Sequence, residues 1–321
     1  MSVTSQLNTS FNGFITSQAL LLADHLDFFS HFNNTEICEE KDIRIHYSDY
    51  PAAIDAVLNA LHIGGVISRD NKKCQLLVKL DEIKNKLPFF RLWFFAYREL
   101  LSQQIEVVDS RKKEIPYDGA SVAKYSAQIG SIYVDPYLDS ILEELSLTGK
   151  ICDMGCGAGV RLLRICKKNR LQGLGMDIDF DAIEVALKNK KLTNNNDVDF
   201  ICQDITKIKT GSPDIEAMLF TFFTHHIQCD DILASMLQEY KDYFINLKYI
   251  IIFDTVSDSN NLSEDKIFSS GFDYIHRIQG LIPRTREDYY NVFDKAELAV
   301  EKEISLPVDN SFIWVCKLRD V

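Results

Sequence analysis

The run Asp153-Met154-Gly155-Cys156-Gly157-Ala158-Gly159 sets a carboxylate before three alternate glycines, directly after an apolar start at Ile151 and Cys152. Glycines at a strand-to-helix turn let the backbone approach a ligand closely and aim the free N–H groups of the next helix at it. The acid selects the ligand: Asp153 would repel a pyrophosphate and attract an ammonium. Val160 stands where the dinucleotide fingerprint G-x-G-x-x-G has its last glycine. Two further acids end later apolar runs. Asp177, 22 residues after Gly155, has the placement of a ribose-hydroxyl acceptor. Asp204, in Cys202-Gln203-Asp204-Ile205, has that of an acceptor for an adenine amino group. With Gly155, Gly157 and the flanking Ile178 and Ile205, these acids form the expected nucleoside-binding set. A lone strand-end Asp is usually a helix cap, and Asp179 and Asp181 are read that way. Three acids at three strand ends behind one glycine loop are far more specific.

A second constellation is histidine-rich. Thr224-His225-His226-Ile227 follows the fourth apolar run, and Gly271-Phe272-Asp273-Tyr274-Ile275-His276 comes after the fifth. A histidine there is either a general base toward an acceptor hydroxyl or, as neutral imidazole, one ligand of a divalent metal with open positions. No H-x-x-x-H pattern decides between the two. Aromatic residues Trp93, Tyr117 and Tyr125 are candidate walls of a small-molecule pocket. The helix expected over 89–100, which carries Trp93 and Tyr97, reads first as core or dimer interface and second as an aromatic wall over such a pocket.

These residues need a frame, and the alternation of segments after residue 112 supplies one. Strands are expected at 150–154, 173–178, 198–204, 217–223 and 249–255, and helices at 160–168, 182–190, 231–244 and 286–295. That order implies an α/β fold, a mostly parallel sheet with helices on both faces. Ligands bind beyond the carboxyl ends of its strands. Segments 300–306 and 312–318, joined by Pro307-Val308-Asp309-Asn310, predict a closing hairpin with an antiparallel last strand. Residues 1–112 read differently. Helical spacing from Phe14 onward and over 52–61, then a two-stranded wing over 63–67 and 74–78, describe a helical, winged-helix-like domain. Its expected role is dimerisation and substrate covering. The charged stretch Arg111-Lys112-Lys113-Glu114 before Pro116 is the expected linker to a catalytic domain at 113–321.

Bulk properties bound the partners. A net charge of -12 over 321 residues argues against nucleic acid, which needs clustered Lys and Arg. No apolar run approaches a membrane span, and no Lys or Arg precedes Lys41, so a signal peptide is not expected. The eight cysteines form no C-x-x-C pair and read as free thiols. A cytoplasmic, homodimeric protein acting on a small molecule is the resulting expectation. A cofactor-binding regulator built on the winged helix is the non-enzymatic alternative, and the acidic charge weighs against it.

The glycine loop resembles motif I of the Rossmann-like methyltransferases that bind S-adenosylmethionine. Residues 118–300 further resemble the metal-dependent C-methyltransferases acting on the β-carbon of α-keto acids such as phenylpyruvate. The matching stretches are 129–136 with Tyr133-Val134-Asp135-Pro136, the loop through Arg161-Leu162, and Gly173-Leu174-Gly175-Met176-Asp177-Ile178. That family's Gly-His-Asp segment matches Thr224-His225-His226, and its Gly-Phe-x-x-x-His segment matches Gly271 to His276. The resemblance implies His225 and His276 as ligands of a catalytic divalent metal, Fe or Zn, in secondary metabolism. The metal would polarise the substrate carbonyl and stabilise an enolate, with His226 or a water taking the β-proton. Two positions depart from the family: His226 replaces its Asp, and Tyr117 replaces an Arg suited to a substrate carboxylate. The substrate then lacks that carboxylate, presents it differently, or relies on Arg91, Arg98 or Arg277. The competing expectation is a metal-independent O-methyltransferase with His225 or His226 as base.

Overall fold

The computed structural model describes residues 3–32, 35–109, 117–208, 211–257 and 267–319. The chain divides into two compact units, 1–96 and 97–321. The expected linker at 111–116 lies outside the described residues.

In the N-terminal unit, α1 (Val3–His25) packs on α3 (Pro51–Ile63) and α4 (Leu80–Arg91), with α2 (Glu40–His46) between them in sequence. Ala19, Ala23, Leu58 and Leu61 are buried there, each Leu contributing roughly 1.5–3 kcal/mol on burial. A three-stranded antiparallel sheet of order β1 (Ile37–Glu39), β3 (Lys73–Leu76), β2 (Ile67–Asp70) forms the wing. The first wing strand begins later than expected, because Gly64 and Gly65 close α3: the Gly64 amide returns to the Ala60 carbonyl, and Gly65 has φ +70°. Asn71 and Lys72, both left-handed, make the two-residue β2–β3 turn. The β1 strand, three residues long, leaves no pattern to read. The expected helix over 89–100 is broken: α4 stops at Arg91 and a π-turn spans Leu92–Ala96. That turn carries Trp93 off helical phase.

The C-terminal unit begins with α5 (Arg98–Ser102), α6 (Gln104–Val108), α7 (Gly119–Tyr133) and α8 (Asp135–Leu145). Strands and helices then alternate: β4 (Lys150–Met154), α9 (Val160–Asn169), β5 (Gly173–Asp177), α10 (Phe180–Thr193), β6 (Val198–Cys202), β7 (Ile215–Thr221), α11 (Asp230–Tyr243) and β8 (Tyr249–Thr255). After them come α12 (Ile267–Ile278), α13 (Arg286–Lys295), β9 (Leu298–Ser305) and β10 (Ser311–Leu318). The sheet order is β6-β5-β4-β7-β8-β10-β9. It is parallel through β8, and β10 runs antiparallel to both neighbours. This is the expected Rossmann-like methyltransferase sheet. Nearly every residue of β7 and β8 is buried, as central parallel strands require. Helix α9 turns Leu162, Leu163, Ile165 and Cys166 inward. Asp179 caps α10, and a Thr285–Asp288 capping box starts α13. No helix among the described residues is long and apolar enough to cross a membrane.

Candidate active site

Beyond β4, the glycine loop is fixed by its neighbours. The amides of Gly155 and Cys156 donate to the Met176 carbonyl (2.8 and 3.0 Å), and the Gly157 amide donates to Asp177 Oδ2 (2.8 Å). Gly155, Gly157 and Gly159 all have positive φ. A Cβ on Gly159 would collide with the Phe200 ring, so glycine lets α9 start hard against β6. Asp177 also accepts from the Asp179 amide (3.0 Å), and Ile178 beside it is an exposed apolar side chain. Asp204 accepts from the Thr206 amide (3.0 Å) and hydroxyl (2.7 Å) and pairs with Lys207. Ile205 points its side chain into the core, and its carbonyl accepts from the Tyr240 hydroxyl. Asp204 therefore caps a turn as well as ending a strand.

Asp153 is 3% exposed, and its Oδ1 has no hydrogen-bond partner among the described residues. Burial lifts its pKa to about 6, against a downward pull from Arg161 and with help from Asp177 and Asp135. An unsatisfied, buried carboxylate oxygen is costly, and a ligand ammonium relieves that cost. The sign of the pH effect follows. A cationic ligand favours ionised Asp153, so cofactor affinity is expected to be flat above about pH 6. Below it, affinity should fall by up to about tenfold per unit. Calorimetric titration with S-adenosylhomocysteine from pH 7.5 downward measures this; a flat profile to pH 4.5 would contradict it, and Asp153→Asn should abolish the slope.

The histidines cluster around β8. His225 and His276, each 4% exposed, have ring centroids 4.9 Å apart at an interplanar angle of 89°. His225 Nδ1 meets Asp254 Oδ1 at 2.7 Å, and His276 Nδ1 meets the Phe272 carbonyl at 2.7 Å. A carbonyl only accepts, so the His276 proton sits on Nδ1 and its Nε2 lone pair is left over. Asp254 is completely buried and also accepts from the His225 amide (3.0 Å), the Thr224 hydroxyl (2.7 Å), the Tyr289 hydroxyl (2.9 Å) and the Thr255 amide (2.9 Å). Burial alone would raise its pKa, but the His225 imidazole and these donors hold it well below the usual carboxylate range. Ionised Asp254 thus puts the His225 proton on Nδ1 too. Burial first, then His225, lowers the His276 pKa to about 4, which keeps that imidazole neutral. His226 opens toward solvent 4.2 Å from the His225 ring, and the enclosing cleft and both neighbouring imidazoles depress its pKa.

Arg284 holds the 224–230 loop in place, donating to the Thr224 and Ile227 carbonyls and to Asp230. Gln228 ties the same loop to Ile282. Phe222, in the left-handed region at φ +51°, is wedged against Phe253 as the chain turns out of β7. Among the described residues no group of three or more His, Cys, Asp or Glu side chains is arranged to hold a metal.

Of the expected substrate residues, Tyr117 is half exposed and stacks on Tyr97 (6.4 Å). Tyr125 is half-buried on α7 under Lys124. Trp93 belongs to the N-terminal unit. Of the cations proposed for a carboxylate, Arg91 pairs with Asp24 and Arg277 with Asp273. Arg98 is exposed and acts on Asp118, next to Tyr117. Sequence reading missed Asp254, Thr224, Tyr289 and Arg284. The available signal was an acid directly after the apolar run Ile250-Ile251-Ile252-Phe253 and within the expected strand 249–255, since a charge is almost never fully buried unless paired.

A seven-stranded sheet of this order, with a glycine loop and strand-end acids at its carboxyl edge, defines an S-adenosylmethionine-dependent methyltransferase. The comparisons agree. The family model for a methyltransferase domain matches residues 146–297. The chain is 33% identical to an indolepyruvate C-methyltransferase of Streptomyces griseus over 318 residues, 98% of this chain and 96% of that one. Among solved structures, the S-adenosylmethionine-dependent methyltransferase SibL superposes with a TM-score of 0.74 at 12% identity, covering 98% of this chain and 99% of SibL. CalO1, a methyltransferase of calicheamicin biosynthesis solved with S-adenosylhomocysteine bound, does so with a TM-score of 0.70 at 14% identity, covering 99% and 100%. The chain belongs to the S-adenosylmethionine-dependent methyltransferases.

Proposed function

We propose that this methyltransferase transfers a methyl group to the β-carbon of an aromatic α-keto acid of the indolepyruvate kind, with a divalent metal held by His225 and His276. The observation that carries the metal is the pair of buried imidazoles, each with Nδ1 bound to an acceptor. Metal-ligating histidines almost always show that arrangement, with Nε2 left for the ion. Their 4.9 Å centroid separation is what two imidazoles have when each reaches one ion at about 2.1 Å from adjacent positions. Two protein ligands leave room for a chelating keto acid. A divalent ion bound there, Fe or Zn, would supply Lewis-acid polarisation of the substrate carbonyl.

The chain's own residues do the rest. Asp153, Gly155, Gly157, Asp177, Ile178, Asp204 and the Ile205 backbone would hold S-adenosylmethionine, whose sulfonium supplies the methyl. His226, the exposed imidazole of the three, would take the β-proton as the new carbon–carbon bond forms. Tyr117 and Tyr125, both of the C-terminal unit, would line the acceptor site. The likeness to the indolepyruvate enzyme supports the substrate class. A second reading, O-methylation with His225 or His226 as base, draws on the Asp254–His225 pair, which would orient a base equally well.

Incubating the protein with methyl-labelled cofactor and indolepyruvate or phenylpyruvate, then locating the label by NMR, tests the proposal. A carbon-bound methyl supports it. An oxygen-bound methyl formed in full yield with a chelator present would replace it with the second reading.

The N-terminal unit would dimerise. On α1, Leu7, Phe11, Phe14 and Leu22 are exposed, an apolar face that a second copy would bury. Phe11→Glu with Phe14→Glu is expected to convert a dimer to a monomer in light scattering, and a wild-type monomer would refute the idea. All eight cysteines are unpaired, in keeping with a cytoplasmic site of action.

A further inference from the structure

We infer that Arg161 binds the carboxylate of the cofactor's amino-acid end while Asp153 binds its ammonium, the two side chains forming a zwitterion clamp beneath the glycine loop. The inference deepens the cofactor assignment and rests on it. A free amino-acid group carries two opposite charges, and the loop with its acids answers only one of them.

Arg161 lies in the first turn of α9, two residues after Gly159. Its Nε donates to Asp135 Oδ1 (2.9 Å), while Asp135 Oδ2 is taken by Arg164 (3.0 Å). The terminal nitrogens of Arg161 make no hydrogen bond among the described residues, and the side chain keeps 18% of its surface open. Two other cations on the helix are committed: Arg164 to Asp135 and Asp139, Lys168 to Asp139 and Glu143. Asp135 therefore anchors the guanidinium through Nε and leaves both terminal nitrogens without a hydrogen bond among the described residues. That fork is the geometry that takes a carboxylate in two parallel bonds.

The opposite wall makes room for it. Gly130, buried on α7, has Arg161 Nη2 where its own Cβ would stand, so any side chain there would displace the guanidinium. The same guanidinium acts electrostatically on Asp153, whose unpartnered Oδ1 is the other jaw. A helix tie alone would need neither the free terminal nitrogens nor the glycine opposite them.

The test separates the ends of the ligand. Wild type, Arg161→Gln and Gly130→Ala are titrated calorimetrically with S-adenosylhomocysteine and with 5′-methylthioadenosine, which lacks the amino-acid end. They are also titrated with S-adenosyl-3-thiopropylamine, which keeps the ammonium and lacks the carboxylate. Wild type is expected to bind the thiopropylamine about 10- to 100-fold more weakly than S-adenosylhomocysteine. Arg161→Gln should weaken S-adenosylhomocysteine by a similar factor and change 5′-methylthioadenosine less than about threefold. Gly130→Ala should act in the same direction with the charge intact. Equal wild-type affinity for the thiopropylamine and S-adenosylhomocysteine would overturn the clamp. So would a loss of all three ligands alike in Arg161→Gln. If wild type binds none of the nucleosides, the cofactor assignment itself falls, a result distinct from both.

Discussion

Asp254→Asn is expected to lower methyl transfer by about a hundredfold or more while leaving cofactor affinity within about threefold. The substitution keeps volume and shape at a site with no exposed surface and removes only the charge. Five donors converge on the two carboxylate oxygens: His225 Nδ1 and its amide, the Thr224 and Tyr289 hydroxyls, and the Thr255 amide. An amide has one acceptor oxygen, and its NH2 would face a donor on the other side. The cheapest relief is for His225 to move its proton to Nε2, the atom both proposed roles need free. Whether that atom holds an ion or takes a proton, the wrong tautomer disables it, and a comparable change beside a catalytic histidine costs about ten-thousand-fold in turnover. Stability should fall as well, because each charge-assisted hydrogen bond is worth roughly 1.5–3 kcal/mol. Tyr289→Phe supplies the comparison: it removes one of the donors, leaves the tautomer fixed, and should lose less than about tenfold in rate. Turnover near wild type in Asp254→Asn would remove this carboxylate from the site's chemistry.

The contrast between what the chain shows in one dimension and what it hides runs along a physical line. The strands that build the sheet are short, mostly apolar runs, and burial of the central ones on both faces favours that pattern; four of the five parallel strands begin where it says they should, and the fourth begins two residues earlier. The glycine loop is legible because backbone at positive φ tolerates few alternatives. Asp254 is not legible, because its partners come from Thr224, His225 and Tyr289, up to 35 residues away, and no local pattern encodes that convergence. The helix carrying His276 is hidden for another reason. Its sequence begins Ile267-Phe268-Ser269-Ser270-Gly271, a weak helix former whose stability comes from packing Phe268, Phe272 and Ile275. In the N-terminal unit the aromatic run around Trp93 carries a helical period, but the π-turn changes the phase inside it. Asp204 shows the limit of motif reading even where a motif is present. Its carboxylate already caps Thr206 and pairs with Lys207, so its role toward a nucleoside must share those bonds.

His276→Ala is expected to abolish metal retention and to lower turnover by at least about a hundredfold, with S-adenosylhomocysteine binding unchanged. The argument starts from α12. The Phe272 carbonyl, one turn back, accepts a hydrogen bond from Nδ1–H, and Phe272 also packs against the ring at 4.1 Å, so helix geometry alone sets the imidazole plane. His225 is set independently, by a carboxylate on β8. Two imidazoles oriented by unrelated elements stand with rings nearly perpendicular and neither Nδ1 available. A purely basic role needs one such histidine; a second, buried and neutral beside it, adds nothing to proton abstraction. The proposed shared ion would account for both. Elemental analysis of protein purified without chelator should then find about one divalent ion per wild-type chain and almost none in His276→Ala, with retained cofactor binding showing that the sheet is intact. Full metal content in the variant would exclude His276 as a ligand. Wild type that is metal-free yet fully active in chelator would leave His225, oriented by Asp254, as the base of an O-methyltransferase.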